Sequence, residues 1–269
     1  MDGLNFNISD KDLALLSGSF EFPDDFGNGE YNDVVEIHVY DVVNNYIQSQ
    51  HNVPKIGLKH YLNFDGEDDY VRMDSDYVFT TNHTISMWIK PSTFVAKRSL
   101  CGNINTSTYG YIKFKNNVGA TYLIGETDTN ADNISWNHSA YPFSLDTWYH
   151  IIITESSNNI WTLIIDGGAW SGVSFLEATT NPNLTINAIG YGYSGAYFGG
   201  SLDEIAIYNK TLSLSEISDL YGGGTPLTCG DMTEIDGLIA GYRFEEGRGT
   251  TTSDITGNDN DGTLIDGVS

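Results

Sequence analysis

Short apolar runs separated by turn residues fill the chain from about Leu58 to Gly222. In order, they are HYLNFDG, DDYVRM, TISMWIKPS, GYIKFKN, TYLIGE, WYHIIITESS, IWTLIIDGGAW, LTINAIGYG and LDEIAIYNK. These runs are rich in β-branched and aromatic residues, and Gly, Asn, Asp or Ser separates one from the next. Many short strands at fairly regular intervals are typical of a sandwich or a jelly roll. The sequence therefore predicts an all-β fold.

One helix is predicted near the end of this region, in the run SLSEISDLY. Ser213 is placed to cap its N-terminus, and Glu216 follows three residues later, which is the spacing of a capping box. Ile217 and Leu220 give the helix an apolar face, and the glycines from Gly222 onward end it.

The regions on either side of 58–222 differ from it. Residues 1–57 contain the strand candidate VVEIHVYDVV and form a segment too short to fold well alone, so we expect a small β-rich segment that docks on a neighbour. Residues 223–235, which include GGGTPLTCGDM, are typical of a linker. Residues 236–269 form the final stretch.

Charge and cysteine content restrict the possible functions. Twelve Lys plus Arg stand against 36 Asp plus Glu, for a net charge of −24. This charge repels nucleic acid and anionic membranes, and it suits either divalent-cation binding or a solvated acidic surface. No basic segment followed by an apolar run begins the chain, and no window of about 18 apolar residues occurs, so neither a signal peptide nor membrane insertion is predicted. Cys101 and Cys229 allow one disulfide or two thiols, but no cysteine framework.

A family resemblance rests on motifs spread over about 165 residues. LNFDGEDDYVRM, TISMWIKPS, DTWYHIIIT, IIDGGAW and GGSLDEIAIYNKTLSLSEISDLY follow one another in this order. Together they resemble the laminin G-like branch of the concanavalin A-like lectin and glucanase superfamily. The resemblance implies that 58–222 form a two-sheet antiparallel jelly-roll sandwich.

The final stretch resembles the beginning of such a domain, although it follows one. GYRFEEGRGTTTSDITGNDNDGTL has the aromatic strand, the acidic-glycine turn and the Gly-Asn-rich loop that usually precede the FDG motif. Two explanations remain open, and the hinge-like linker favours a second domain over a segment that folds back. Either a second laminin G-like domain begins at about 236, or 236–269 fold back as a permuted or swapped strand segment that pairs with an open sheet edge.

Calcium is the metal that the sequence favours. Acidic residues crowd the turn between the first two strand candidates: Asp65, Glu67, Asp68 and Asp69. Hard oxygen ligands gathered on a turn are what Ca²⁺ requires. Relatives often hold calcium at the sandwich rim. The resemblance also implies that the late strand beginning at Asp203 and Glu204 lies near this turn. The predicted ligands are Asp65, Asp68 and Asp203, with Glu204 next; alternatively, these residues cap strand ends and face solvent.

Two stretches are candidates for sugar binding, which requires an aromatic platform and a few directed polar groups. GYGYSGAYFGG carries Tyr191, Tyr193 and Tyr197, while ETDTNADNISWNHS carries Asp128, Asn130 and Trp136. The alternative for the tyrosines is packing across the sheet. Trp88, Trp148 and Trp161 lie in apolar runs and are predicted in the core, as is His150.

No catalytic signature is apparent in the sequence. Glucanases of this superfamily carry a Glu-x-Asp-x-x-Glu run, whereas the closest string here begins at Glu234 and ends on Ile239, outside the predicted sandwich. No nucleophile elbow, phosphate loop or His-Glu-x-x-His motif occurs. The chain is therefore predicted to be non-enzymatic, with a glycan hydrolase as the least favoured alternative.

The first stretch resembles, less specifically, the start of structural proteins from marine tailed phages. This resemblance implies a virion-surface protein, made in the host cytoplasm, that docks on other virion proteins through its N-terminal segment and forms an oligomer. On this interpretation the jelly roll is an adhesin that binds calcium and host-surface polysaccharide. The alternatives are a capsid or fibre decoration or spacer protein without glycan binding, and an extracellular rather than a virion location.

Overall fold

Two antiparallel sheets pack face to face in the computed structural model. The structure describes residues 60–79, 82–94, 98–104, 110–117, 120–126, 133–136, 143–156, 161–168, 170–172, 184–192, 195–226 and 229–268. The first sheet comprises β1 (Leu62–Asp65), β3 (His83–Pro91), β8 (Tyr149–Glu155), β9 (Trp161–Ile165), β10 (Trp170–Gly172), β14 (Gly199–Tyr208) and β15 (Leu238–Tyr242). Its order is β1-β14-β3-β8-β9-β10, and β15 also pairs with β14.

The second sheet has eight strands in the order β16-β17-β2-β11-β4-β5-β6-β7. Their bounds are β2 Tyr70–Phe79, β4 Arg98–Gly102, β5 Tyr111–Asn117, β6 Ala120–Glu126, β7 Asn133–Trp136, β11 Leu184–Ile189, β16 Thr251–Thr252 and β17 Gly262–Ile265. A separate two-stranded ribbon joins β12 (Tyr191–Gly192) to β13 (Ala196–Tyr197). The predicted jelly-roll sandwich is confirmed. The predicted N-terminal segment, 1–57, lies outside the described residues.

Both faces of the first sheet are covered, which explains why its central strands read as apolar runs without alternation. All ten residues of β14 and all seven of β8 are buried. One face meets the second sheet in the main core, and the other lies beneath helix α1 (Leu214–Tyr221), whose Ile217 and Leu220 pack on it. The predicted capping box is confirmed: the Ser213 side chain accepts from the Glu216 N–H, and the Glu216 side chain accepts from the Ser213 N–H.

The final stretch adds strands to both sheets of the same sandwich. β15 pairs with β14 from Ile205↔Tyr242 to Tyr208↔Leu238, beyond the part of β14 that pairs with β1. β17 pairs with β2 from Gly262↔Met73 to Ile265↔Tyr70. Tyr242, Phe244 and Val268 are buried in the main core. In this structure, β15, β16 and β17 of the final stretch therefore belong to the same two sheets as the preceding strands.

Two of the three predicted core tryptophans are confirmed. Trp88 and Trp161 are each 1% exposed, and His150 is 2% exposed. Trp148 is half-buried instead, because it precedes β8 at the sandwich edge, where its ring meets Tyr61 edge-on with the centroids 5.5 Å apart. No disulfide joins Cys101 to Cys229. Within the described part of the chain, no helix has both the length and the apolar character needed to cross a bilayer.

Candidate functional site

The turn between β1 and β2, residues 65–69, contains four carboxylates, three of which cluster, and is called the acidic turn below. Asp65 organises it: its Oδ1 accepts hydrogen bonds from the N–H of Glu67 at 2.7 Å and of Asp68 at 3.4 Å. Gly66 lies at φ 85°, a backbone conformation that favours glycine. Carboxylate oxygens of Asp65, Asp68 and Asp69 all lie within 4.8 Å of one another. The turn therefore presents a cluster of hard oxygen ligands at the sandwich rim.

Asp69 is the buried member of this cluster. Its side chain is 5% exposed, and its Oδ2 accepts the Asp65 N–H at 2.9 Å. Its Oδ1 has no hydrogen-bond partner among the described residues. Burial raises the pKa of Asp69, and the neighbouring negative charges of Asp65, Asp68 and Asp266 raise it further, against the opposing effect of the Asp65 N–H. A buried carboxylate oxygen without a partner, beside two further carboxylates, is a favourable position for a cation.

Three tyrosine rings, called the tyrosine cluster, lie beside the acidic turn. Tyr70 follows Asp69 directly and begins β2, whereas Tyr191 and Tyr197 face each other across the β12–β13 ribbon. The ring centroids are 4.9 Å apart for Tyr191–Tyr197, 5.3 Å for Tyr70–Tyr191 and 6.4 Å for Tyr70–Tyr197. All three residues are half-buried, so part of each remains open to a ligand. Together they form a compact aromatic surface.

Contacts and charge connect the tyrosine cluster to the acidic turn. The Arg98 guanidinium donates from Nη1 to the carbonyl oxygen of Gly66 and, at 3.2 Å, to that of Tyr197. Burial raises the pKa of Tyr197, and the charges of Tyr191, Tyr70, Asp68 and Asp266 add to the effect. Arg98 therefore fixes the acidic turn against the ribbon, and the two features lie side by side.

The six predicted sugar-binding residues are not all brought together. Tyr191 and Tyr197 meet in the tyrosine cluster, while Tyr193, Asp128 and Asn130 lie outside the described residues. Trp136 ends β7, five strands from β2 in the second sheet. At about 4.8 Å between neighbouring strands, its backbone lies roughly 24 Å from β2. Trp136 therefore lies well away from Tyr70 and from the acidic turn, at the far edge of the second sheet.

The predicted metal ligands also divide into two groups. Asp65 and Asp68 share the acidic turn, but Asp203 lies four residues along β14 from Gly199, the partner of Asp65, or about 13 Å at 3.3 Å per residue. Asp203 and Glu204 are 1% and 6% exposed, and they form a bulge in which Glu204 takes φ 46° and its N–H donates to Asp203 Oδ1 at 2.9 Å. The bulge directs Glu204 into a cavity beneath α1, away from the turn.

That cavity, called the α1 cavity, is lined by Ser86, Trp88, His150, Glu204, Leu220 and Met232, among others. Ser86 Oγ lies 2.8 Å from His150 Nε2, an arrangement that superficially resembles a nucleophile with its base. However, both residues are 2% exposed, and His150 Nδ1 has no hydrogen-bond partner in the described part of the chain. Burial lowers the pKa of His150 to about 3, so the imidazole is neutral at physiological pH.

The residues that the sequence interpretation missed are Tyr70, Arg98 and Asp266; Asp69, though noted in the acidic turn, was not chosen as a ligand. Tyr70 belongs to the run DDYVRM, whose pattern predicts a strand and gives no separate indication of a binding residue. The available signal was its position, because residues at a strand start lie at the rim of a sandwich. Asp266 follows β17, whose pairing with β2 joins residues almost 200 positions apart and leaves no local signal.

Comparisons with known proteins identify the fold independently. A family model described as the concanavalin A-like lectin/glucanases superfamily matches residues 65–218. A "putative carbohydrate binding protein" from Bacteroides ovatus superposes with a TM-score of 0.54 at 18% identity, covering 78% of this chain and 58% of that one. The heptameric SAP-like pentraxin of Limulus polyphemus gives a TM-score of 0.55 at 13% identity, covering 78% and 93%. No curated protein matches the sequence.

Proposed function

This chain belongs to the concanavalin A-like lectin/glucanases superfamily, and we propose that it is a non-enzymatic carbohydrate-recognition protein. Its ligand site is the acidic turn together with the tyrosine cluster. The observation that carries this proposal is the placement of three partly exposed tyrosine rings next to a buried carboxylate oxygen without a partner. The carbohydrate binding named for the similar Bacteroides ovatus structure is consistent with it.

The two parts of the site match the two chemical aspects of a sugar. A pyranose has an apolar face, which stacks on aromatic rings, and a set of hydroxyl groups, which need directed polar partners. Tyr191 and Tyr197, with Tyr70, provide the rings. The acidic turn provides the polar partners, directly or through a cation.

Calcium fits the acidic turn by the chemistry of its donors. Asp65, Asp68 and Asp69 would hold the ion through carboxylate oxygens, and Asp69 Oδ1 would gain the partner that it lacks among the described residues. A bound calcium ion supplies positive charge and further coordination positions for hydroxyl groups. The residues of the chain fix the turn: Asp65 orders its backbone, and Arg98 ties it to the ribbon.

A glycan array tests this function with the full chain, once with millimolar calcium and once with chelator. We expect calcium-dependent binding that Tyr197→Ala reduces at least about fivefold, since stacking on one aromatic ring contributes about 1–3 kcal/mol by analogy with base stacking. Tyr61→Ala is the matched control, because Tyr61 is 40% exposed and contacts Trp148 rather than the cluster. Binding unaffected by Tyr197→Ala, or no binding by a folded sample, would contradict the proposal.

In its biological setting, the protein is proposed to be an adhesin on the surface of a tailed-phage virion, attached to other virion proteins through residues 1–57. The support is the resemblance of the first stretch to phage structural proteins. A silent array with stoichiometric copurification on particles would indicate a decoration or spacer protein instead. Release of reducing sugar from a bound glycan would indicate a hydrolase.

A further inference from the structure

The C-terminal end of the chain forms one wall of the proposed ligand site. β17 lies beside β2, and its last residue, Ile265, pairs with Tyr70 of the tyrosine cluster. The turn that follows, Asp266 and Gly267, therefore lies at the rim next to Asp69. Val268 is 7% exposed and belongs to the main core, so the turn is anchored on both sides.

The approach of this turn to Asp69 is close. A Cβ atom placed on Gly267 would lie 3.5 Å from Asp69 Oδ1, the carboxylate oxygen without a partner among the described residues. Asp266 is exposed and adopts φ 59°. Its carboxylate is not among the three whose oxygens lie within 4.8 Å of one another. Asp266 thus stands outside the cluster, while its neighbour Gly267 approaches the cluster directly.

We propose that a divalent cation in the acidic turn also holds the C-terminal strand in place, with Asp266 as the outer carboxylate through which the two are coupled. Without a cation, the charge of Asp266 opposes the docking of β17, because three carboxylates already lie across the rim. A bound cation reverses the sign of this interaction. By thermodynamic linkage, the free energy by which cation binding favours docking of the strand equals the free energy by which docking favours cation binding.

The consequence of the coupling extends through both sheets. The stretch that begins at β15 and ends at Val268 adds one strand, β15, to the first sheet and two strands, β16 and β17, to the second. Its Tyr242 and Phe244 lie in the core. A cation at the rim would therefore hold β17, and with it the C-terminal stretch, against the rest of the sandwich. The inference rests on the proposed cation site in the acidic turn and extends it by naming what the ion regulates.

Calcium titration and hydrogen exchange on the full chain test the coupling. The probe is calcium chloride, and the readouts are the calorimetric affinity and the exchange rates of amides in β17 and of the Asp74 N–H in β2, which donates to Asp261 O at 3.0 Å next to the β2–β17 pairing. We expect calcium to slow exchange in β17 severalfold in the wild type. Asp266→Asn weakens calcium affinity about fivefold, the size that Coulomb's law gives in water for one charge roughly 9 Å from a divalent ion.

Asp259→Asn is the matched control. Asp259 belongs to the same C-terminal stretch, is exposed, and adopts φ 57°, close to the 59° of Asp266, and Asn tolerates this conformation. This variant should retain wild-type affinity and exchange.

The outcomes separate the two proposals. In one outcome, Asp65→Asn abolishes calcium binding, but Asp266→Asn does not change the calcium affinity and calcium does not change the β17 exchange rates. This outcome would overturn the coupling and leave the cation site intact. The absence of calcium binding by the wild type would overturn both.

Discussion

The acidic turn and the α1 cavity both contain a buried polar side chain, but the surroundings of that side chain differ between the two places. Among the described residues, Asp69 Oδ1 and His150 Nδ1 each lack a hydrogen-bond partner. In the α1 cavity, burial lowers the pKa of His150 to about 3, so the ring is neutral. It stacks on two aromatic neighbours, with its centroid 4.9 Å from that of Trp88 and 6.0 Å from that of Tyr221. In the acidic turn, Asp69 lies beside two exposed carboxylates. The imidazole avoids the cost of a buried charge by staying neutral, whereas the proposed cation would give the Asp69 carboxylate the partner that it lacks among the described residues.

The difference shows why similar residues carry different roles in this fold. The α1 cavity lies where a helix covers the outer face of a sheet, so its polar groups contribute to packing. The acidic turn lies where strands end, and ring edges and carboxylates there remain accessible to a ligand. Four predictions test this contrast, in order of decreasing effect.

Removing the central ring of the α1 cavity should have the largest effect on stability. Trp88→Ala is expected to lower the free energy of unfolding by about 3–5 kcal/mol, because the side chain is 1% exposed and the cavity left behind cannot collapse fully. Tyr191→Ala in the tyrosine cluster should cost only about 1 kcal/mol, the scale of one aromatic pair. Urea denaturation followed by tryptophan fluorescence measures both, and equal losses would remove the contrast.

Calcium should stabilise the protein through the acidic turn and leave the α1 cavity unaffected. At a hundredfold excess over its dissociation constant, the ion should add about 2.7 kcal/mol, seen as a raised melting temperature. Asp69→Asn should abolish this increase, while Asp219→Asn, at an exposed position on α1, should keep it. An increase that survives in Asp69→Asn would place the ion elsewhere.

The hydrogen bond between Ser86 and His150 should matter for stability alone. Ser86→Ala leaves a buried imidazole nitrogen without its 2.8 Å partner and should cost about 1–2 kcal/mol. Glycan and calcium binding should not change. A loss of binding or of any hydrolytic activity in this variant, measured at a temperature where it remains folded, would assign the α1 cavity a functional role.

The pH dependence of Asp69 should give the smallest effect. Its folded pKa is raised, so without calcium its contribution to stability is greatest below the unfolded value of about 3.8 and is lost as pH rises through the folded pKa. Asp69→Asn should flatten this part of the stability curve. Calcium affinity should change in the opposite sense and weaken as pH falls toward that pKa, because the ion requires the ionised carboxylate.

The sequence was sufficient to predict the capped helix and the acidic turn, since each depends on residues close together in the chain. The sandwich could be predicted from the series of short apolar runs and from the family resemblance that they carry. The turn residues Asp65 and Asp68 are three positions apart, and the capping box joins Ser213 to Glu216. The position of Asp203 could not be predicted, because the bulge at Glu204 depends on how β14 pairs with β3. Tyr70 joined two predicted tyrosines only through pairing across the sheet, and Asp266 reached the rim only because β17 docks on β2.

Tyrosine-sensitised terbium luminescence tests most directly whether the acidic turn and the tyrosine cluster form one site. Terbium replaces calcium at oxygen sites and emits when a nearby tyrosine absorbs light. We expect emission from the full chain that calcium displaces, that Asp69→Asn removes, and that Tyr197→Leu reduces without weakening terbium affinity. Emission unchanged in both variants would contradict the account, because the ion would then bind away from these carboxylates and rings.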